Sequence, residues 1–168
     1  MTATKDIVLT RTFDAPVEAV WRAWTDPQLI VQWWGPTGFT SDSATVDLRE
    51  GGKYVWNMRA PDLMGGIDMY TAGVYTRVEP NSLLEFTQWL ADSEGNPVDP
   101  ATTGMPADFP LEVRSAIRLT DDAGKTHLTA IEYDWAVGQQ RDLSEAGLSE
   151  CLDKLEDVLS RVSPSSGG

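Results

Sequence analysis

Glu132, Asp134, Tyr70, His127 and Cys151 are the side chains whose types and places could move a proton or attack an electrophile. In "KTHLTAIEYDW" Glu132 and Asp134 share a strand parity with Leu128 and Ala130, so at least Glu132 is expected on the apolar face. A carboxylate taken out of water needs a partner or a raised pKa. Two readings follow: an ion pair with Arg11 on the first strand, or a general acid or base working with Tyr70 or Asp134. His127 is the sole histidine and directly follows the turn "DDAGK", where it reads as a solvent-edge residue without a fixed partner. Cys151, the sole cysteine, lies in an apolar helical pattern and reads as a buried, unreactive thiol.

Other chemistries lack their residues. There is no His/Cys cluster of ligand spacing, no H-E-x-x-H, no G-x-x-x-x-G-K and no G-x-G-x-x-G, so neither a metal nor a cofactor is expected. Twenty-six acidic against 13 basic residues give a formal net charge of −13, which repels nucleic acid and anionic lipid alike. No apolar run is long enough to span a bilayer. The start, "MTATKDIVLT", lacks the basic-then-apolar pattern of a secretion signal, so a cytoplasmic location is expected.

The elements that must position these residues are legible from period and punctuation. "DIVLTRTF" has strand composition. In "DAPVEAVWRAWT", Val17, Val20, Trp21 and Trp24 recur at i, i+3, i+4 and i+7, which predicts a helix with one buried face. Asp26 can cap a second short helix that has Pro27 in its first turn and ends at Gly35-Pro36. Trp33 and Trp34 then fall about 100° apart around that helix, so they cannot both face the same place. Six strand-like segments follow: "FTSDSATVDL", "KYVWNMRA", "IDMYTAGVYTRVE", "SLLEFTQWLA", "LEVRSAIRLT" and "KTHLTAIEYDW". Short turns between them imply an antiparallel meander. Tyr54, Trp56 and Met58 alternate with Lys53, Asn57 and Arg59, predicting one apolar and one polar face, whereas "SLLEFTQWLA" carries large apolar groups on both parities. The stretch from Asp92 to Pro110 is too long for a hairpin turn and reads either as a lid or as a surface insertion. From Leu148 to Val162 the apolar positions keep a helical period over four turns. Residues 1–162 are expected to form a single domain, with "SPSSGG" (163–168) as a flexible tail.

The order strand, two short helices, six strands and a long helix resembles the helix-grip fold of START-like (SRPBCC) proteins: an α+β architecture with a curved seven-stranded antiparallel sheet around the last helix. "RTFDAPVEAVWRAWTDPQLIVQWWGPTGFT", "DLREGGKYVWNM", "GVYTRVEPNSLLEFTQW", "GNPV", "KTHLTAIE" and "CLDKLEDVL" resemble the family homologous to the C-terminal domain of the activator of heat-shock protein 90 ATPase. The resemblance implies a cavity between sheet and helix that binds a small apolar or aromatic molecule. It also leaves open a cyclase-, dehydratase- or hydrolase-type enzyme using the pocket carboxylate, or a module that contacts a chaperone. The expected ligand-binding residues are Trp34, Trp56, Met58, Tyr70, Trp89 and Glu132. The chain departs from the family pattern twice. Leu148 follows Gly147 where relatives often carry Trp, which implies a larger or drier pocket, and Glu132 stands near a place where many relatives have His.

Overall fold

The computed structural model describes residues 3–103, 105 and 109–162. The expected tail, 163–168, lies outside the described residues, as do 104 and 106–108 of the long loop. The strands are β1 (Thr4–Phe13), β2 (Ala44–Val46), β3 (Lys53–Arg59), β4 (Asp68–Glu79), β5 (Leu83–Ala91), β6 (Val113–Asp122) and β7 (Lys125–Ala136). The helices are α1 (Val17–Thr25), α2 (Pro27–Trp33) and α3 (Gln139–Val162). All seven strands form one antiparallel sheet in the order β1-β7-β6-β5-β4-β3-β2. Because β1 and β2 lie at opposite edges, α1 and α2 must carry the chain across the sheet, and both helices touch α3 on the way. This is the α+β helix-grip fold.

Parity explains the core. Ile7 and Phe13 of β1, Leu84 and Phe86 of β5, Ile117 and Leu119 of β6, and Leu128 and Ala130 of β7 all point to the concave face and are buried there. Leu152, Leu155, Val158 and Leu159 of α3 pack against them at i, i+3, i+6 and i+7. α2 begins as its sequence predicts, with the Asp26 carboxylate accepting from the Gln28 N–H at 2.9 Å and Pro27 in the first turn.

Two strands differ from expectation. β2 keeps only three residues of "FTSDSATVDL", plus a lone bridge between Thr40 and Arg59. Between those pieces the Ser41 hydroxyl donates to the Asn57 carbonyl, and the Asp42 N–H donates to the Asn57 side chain. Local polar bonds of this kind replace the ladder. Asn57 is consequently buried, not solvent-facing, and its amide also donates to Asp68. In β5 the register assigns Leu84, Phe86, Gln88 and Leu90 to the concave face and Trp89 to the convex one. Trp89 is sheltered there because residues 92–97 fold back over it: its indole N–H donates to the Gly95 carbonyl, and Gly95 sits against Val55 and Ala72. At Gly73, opposite Tyr54, a Cβ would lie 1.7 Å from the Thr87 carbonyl oxygen, so no larger residue fits.

Tryptophans tie the short helices to the sheet. Trp33 of α2 is fully buried, donates its indole N–H to the Ala23 carbonyl of α1 at 2.9 Å, and packs edge-on against Trp24 with ring centroids 4.7 Å apart. Trp33→Ala is expected to lose about 3–5 kcal/mol of stability in urea unfolding. Leu63→Ser, at a fully exposed position in the short helical turn Asp62–Met64, should stay within about 0.5 kcal/mol.

Candidate functional site

The concave face is not filled along its whole length. The second half of α3 packs onto the sheet, whereas its first half, presenting Gln140, Leu143, Ser144, Gly147, Leu148 and Cys151 on one stripe, roofs an open cleft of about 250 Å³. Across from it stand Trp34, Met58, Val113 and Trp135, and Met105, Phe109 and Pro110 of the long loop close one side. Phe109 meets Trp135 edge-on at 5.7 Å. At its inner end the cleft adjoins a chamber of about 20 Å³, lined by Trp24, Trp34, Tyr54, Trp56, Gln88, Ser115, Glu132 and other residues. Trp34, Thr71, Gln88, Glu132 and Leu148 border both spaces.

Glu132 stands at that junction. Its carboxylate accepts from the Trp135 indole N–H at 3.0 Å and from the Gln88 side chain, whose amide also donates to the Ser115 hydroxyl. Burial raises its pKa above the usual 4.5, and these two hydrogen bonds pull only partly the other way. The expected ion pair with Arg11 does not form, because Ile7 and not Arg11 lies opposite Glu132. Arg11 pairs with Leu128 instead and donates to the Ser149 hydroxyl and Asp153 on α3. No Lys, Arg or His is among the described residues lining either space.

Of the other expected site residues, Trp34 and Met58 line the cleft and Trp56 the inner chamber. Trp34 has left the helix: it is the extended C-cap of α2, and its ring stands edge-on to that of Trp33 at an interplanar angle of 85°. Trp89 borders the cleft, but its indole is committed to Gly95 on the convex side. Tyr70 does not line either space, because Thr71 beside it takes the concave position and alternation sends Tyr70 to the other face with Asn57. Asp134 is also turned out. A bulge in β7 places it at φ 61°, where its N–H donates to Asp6 and its carboxylate lies 3.8 Å from Arg114. Glu132 is therefore without both partners that an acid–base pair would have used. His127 is half-exposed between Thr12 and Asp122, away from the cleft. Cys151 borders the cleft, but burial pushes its thiol up to about 12.

Sequence reasoning misses Trp135, Gln88 and Ser115. The bulge at Asp134 shifts the alternation by one and swings Trp135 inward. Gln88 and Ser115 are found by register, since Phe86 pairs with Ser115 and Ser115 with Glu132. The loop bearing Trp34 is held by Lys154 of α3, which donates to the carbonyls of Gly35 and Phe39 at 2.8 and 3.1 Å. Gly35 takes φ 106°, and a Cβ there would press on Phe39 at 3.0 Å.

A curved sheet gripping a long helix, with a cleft between them, defines a START-like protein. A family model described as "Activator of Hsp90 ATPase homolog 1-like protein" matches residues 14–160, and the chain belongs to that family. Among solved structures, a protein from Nitrosomonas europaea is 26% identical, with 96% of this chain and 97% of that chain covered and a TM-score of 0.74. An AHSA1-like protein from Aeromonas hydrophila (21% identity, 98% of each chain, TM-score 0.74) and a protein from Chromobacterium violaceum (23%, 95% and 98%, 0.71) share the fold. No curated protein matches the chain. Among the described residues no helix is long and apolar enough to cross a membrane, and no cluster of His, Cys, Asp and Glu could hold a metal ion.

The burial of Glu132 gives stability a pH dependence of known sign. The folded state holds the proton more tightly than the unfolded state, so its advantage is complete below about pH 4.5 and is lost as pH rises through the raised folded value. Glu132→Gln should thus gain on the parent protein in thermal unfolding as pH is raised from about 4 to 8, with the gap closing again in acid. A gap that does not change with pH contradicts the assignment.

Proposed function

We propose that the protein binds a small apolar or aromatic molecule in the cleft roofed by the first half of α3. The observation that carries this reading is a preformed opening walled by Trp34, Met58, Phe109, Trp135, Leu143 and Leu148 beside a concave face that is otherwise covered by the buried core. Leu148 supports it further, since a Trp at that place would occupy the space. The setting proposed with it is cytoplasmic, with residues 1–162 acting as one unit. The family description names an ATPase activator, but the cleft itself favours ligand binding over a chaperone contact as the primary role. An enzyme of the cyclase, dehydratase or hydrolase type is less well supported, because Tyr70 and Asp134 face away from Glu132.

A native mass-spectrometry and tryptophan-fluorescence screen against neutral aromatic and terpenoid compounds tests the proposal. Binders are expected to form 1:1 complexes. Trp34→Ala should weaken them by about tenfold, the worth of one lost stacking wall, while retaining most of the stability that Trp33→Ala loses. Absence of any 1:1 complex across the screen, or equal affinity in Trp34→Ala, would overturn it.

A further inference from the structure

Resting on that reading, we infer that the ligand is a protonated amine on an apolar body, and that its ammonium group seats on the Glu132 carboxylate in the open cleft. Among the described residues Glu132 is the one acid that lines the cleft, and no base lines it. The other polar side chains in the wall, those of Thr71, Gln88, Gln140 and Ser144, are neutral. Glu132 points to the concave face and is half-buried, so the part of it left uncovered opens into the cleft. Both groups that donate to its carboxylate, the Trp135 indole and the Gln88 amide, are uncharged. The cations of neighbouring elements are committed elsewhere. Lys154, three residues beyond Cys151 on α3, donates to the Gly35 and Phe39 carbonyls, and Arg11 turns to Ser149 and Asp153. A carboxylate withdrawn from water without a counter-ion carries a cost that a bound cation offsets.

The walls suit an organic cation as well. Trp34, Phe109 and Trp135 line the same cleft, and the Trp135 N–H is held 3.0 Å from the Glu132 carboxylate, so a cation seated on that carboxylate lies beside an indole ring. Aromatic faces attract ammonium groups, and more strongly where water is excluded. Other head groups fit less well. An anion would meet Glu132 as a like charge, and a neutral group would leave it without a counter-ion. An inorganic cation would find one carboxylate among apolar walls where it needs about six oxygen ligands. The net charge of −13 acts in the same direction, since it gathers cations near the surface and disfavours anions.

Calorimetric titration of three compounds with one aromatic body tests this: N-methyl-2-(2-naphthyl)ethylamine, its neutral isostere 2-(2-methoxyethyl)naphthalene, and 3-(2-naphthyl)propanoic acid. High salt keeps the acidic surface from contributing. The amine is expected to bind at least about tenfold tighter than the ether and the acid, the advantage of a charge-assisted hydrogen bond over a neutral one. An alkylamine keeps its charge from about pH 4 to 8, whereas Glu132 gains its own as pH rises through its raised value, so amine affinity should climb across that range. The Cys151 thiol and the Tyr54 phenol, the titratable groups that face Glu132 from α3 and β3, stay neutral throughout because burial pushes both up. Glu132→Gln should bring the amine-to-ether ratio towards one and flatten the pH trend, while ether binding reports that the cleft is intact. The pH trend in the parent protein needs no variant. An ether or acid that binds as tightly as the amine, an amine affinity that does not rise with pH, or a preference for the amine that survives in Glu132→Gln would overturn the ammonium assignment while leaving apolar binding standing. Binding by none of the three would overturn both.

Discussion

Close, largely edge-to-face packing among four tryptophans is the constraint on which the rest of the structure depends. Trp24 of α1, Trp33 and Trp34 at the end of α2, and Trp56 of β3 have ring centroids 4.7 to 6.2 Å apart, and Tyr54, Tyr75 and Phe86 extend the contact along the sheet. α2 is only seven residues long, too short to hold itself. Trp33, clamped to α1 by its ring and its N–H, fixes where the helix ends. That endpoint then decides where Trp34 stands, and Trp34 is a wall of the cleft. Stability and site geometry are thus carried by adjacent residues with different work.

The concave face grades from dry core to open cleft along α3. Leu152, Leu155, Val158 and Leu159 meet the sheet fully, while the stripe from Gln140 to Cys151 meets it across a gap. Glu132 lies where the two regimes join, which explains why a carboxylate can persist there. It is hydrogen-bonded by Trp135 and Gln88 yet raised in pKa by burial, so it weakens the fold at neutral pH. Groups that cost stability and are not neutralised by a fixed partner are commonly retained for what they do in a site.

Much of this is legible in the sequence because period and punctuation agree with the fold. The stripe Leu148–Val158, the Asp26-Pro27 start of α2 and the meander from β3 to β7 all follow from local signals. The inward orientation of Glu132 follows from strict alternation. That same rule fails two residues later, since nothing in "EYDW" announces a bulge. Asp134 takes a left-handed conformation and transfers Trp135 to the inner face, a change set by pairing with β1 and by the Asp6 carboxylate. Trp89 is opaque for a related reason. A large apolar ring normally marks the core face, but here residues 92–97 return to cover it on the convex side. Tyr70 and Asn57 likewise depend on which residues lie across the strand pair, and register is a long-range property.

An apolar molecule that enters the cleft beside Trp34 and Trp135 leaves the Trp21 side of α1 untouched. Heteronuclear NMR of the seven indole N–H groups during titration with a neutral bicyclic aromatic reads this directly. Saturable shifts are predicted for the Trp34 and Trp135 indoles and none for Trp21, which does not line the cleft or the inner chamber. Indole resonances that all stay fixed, or a Trp21 shift as large as that of Trp34, would contradict binding in the cleft.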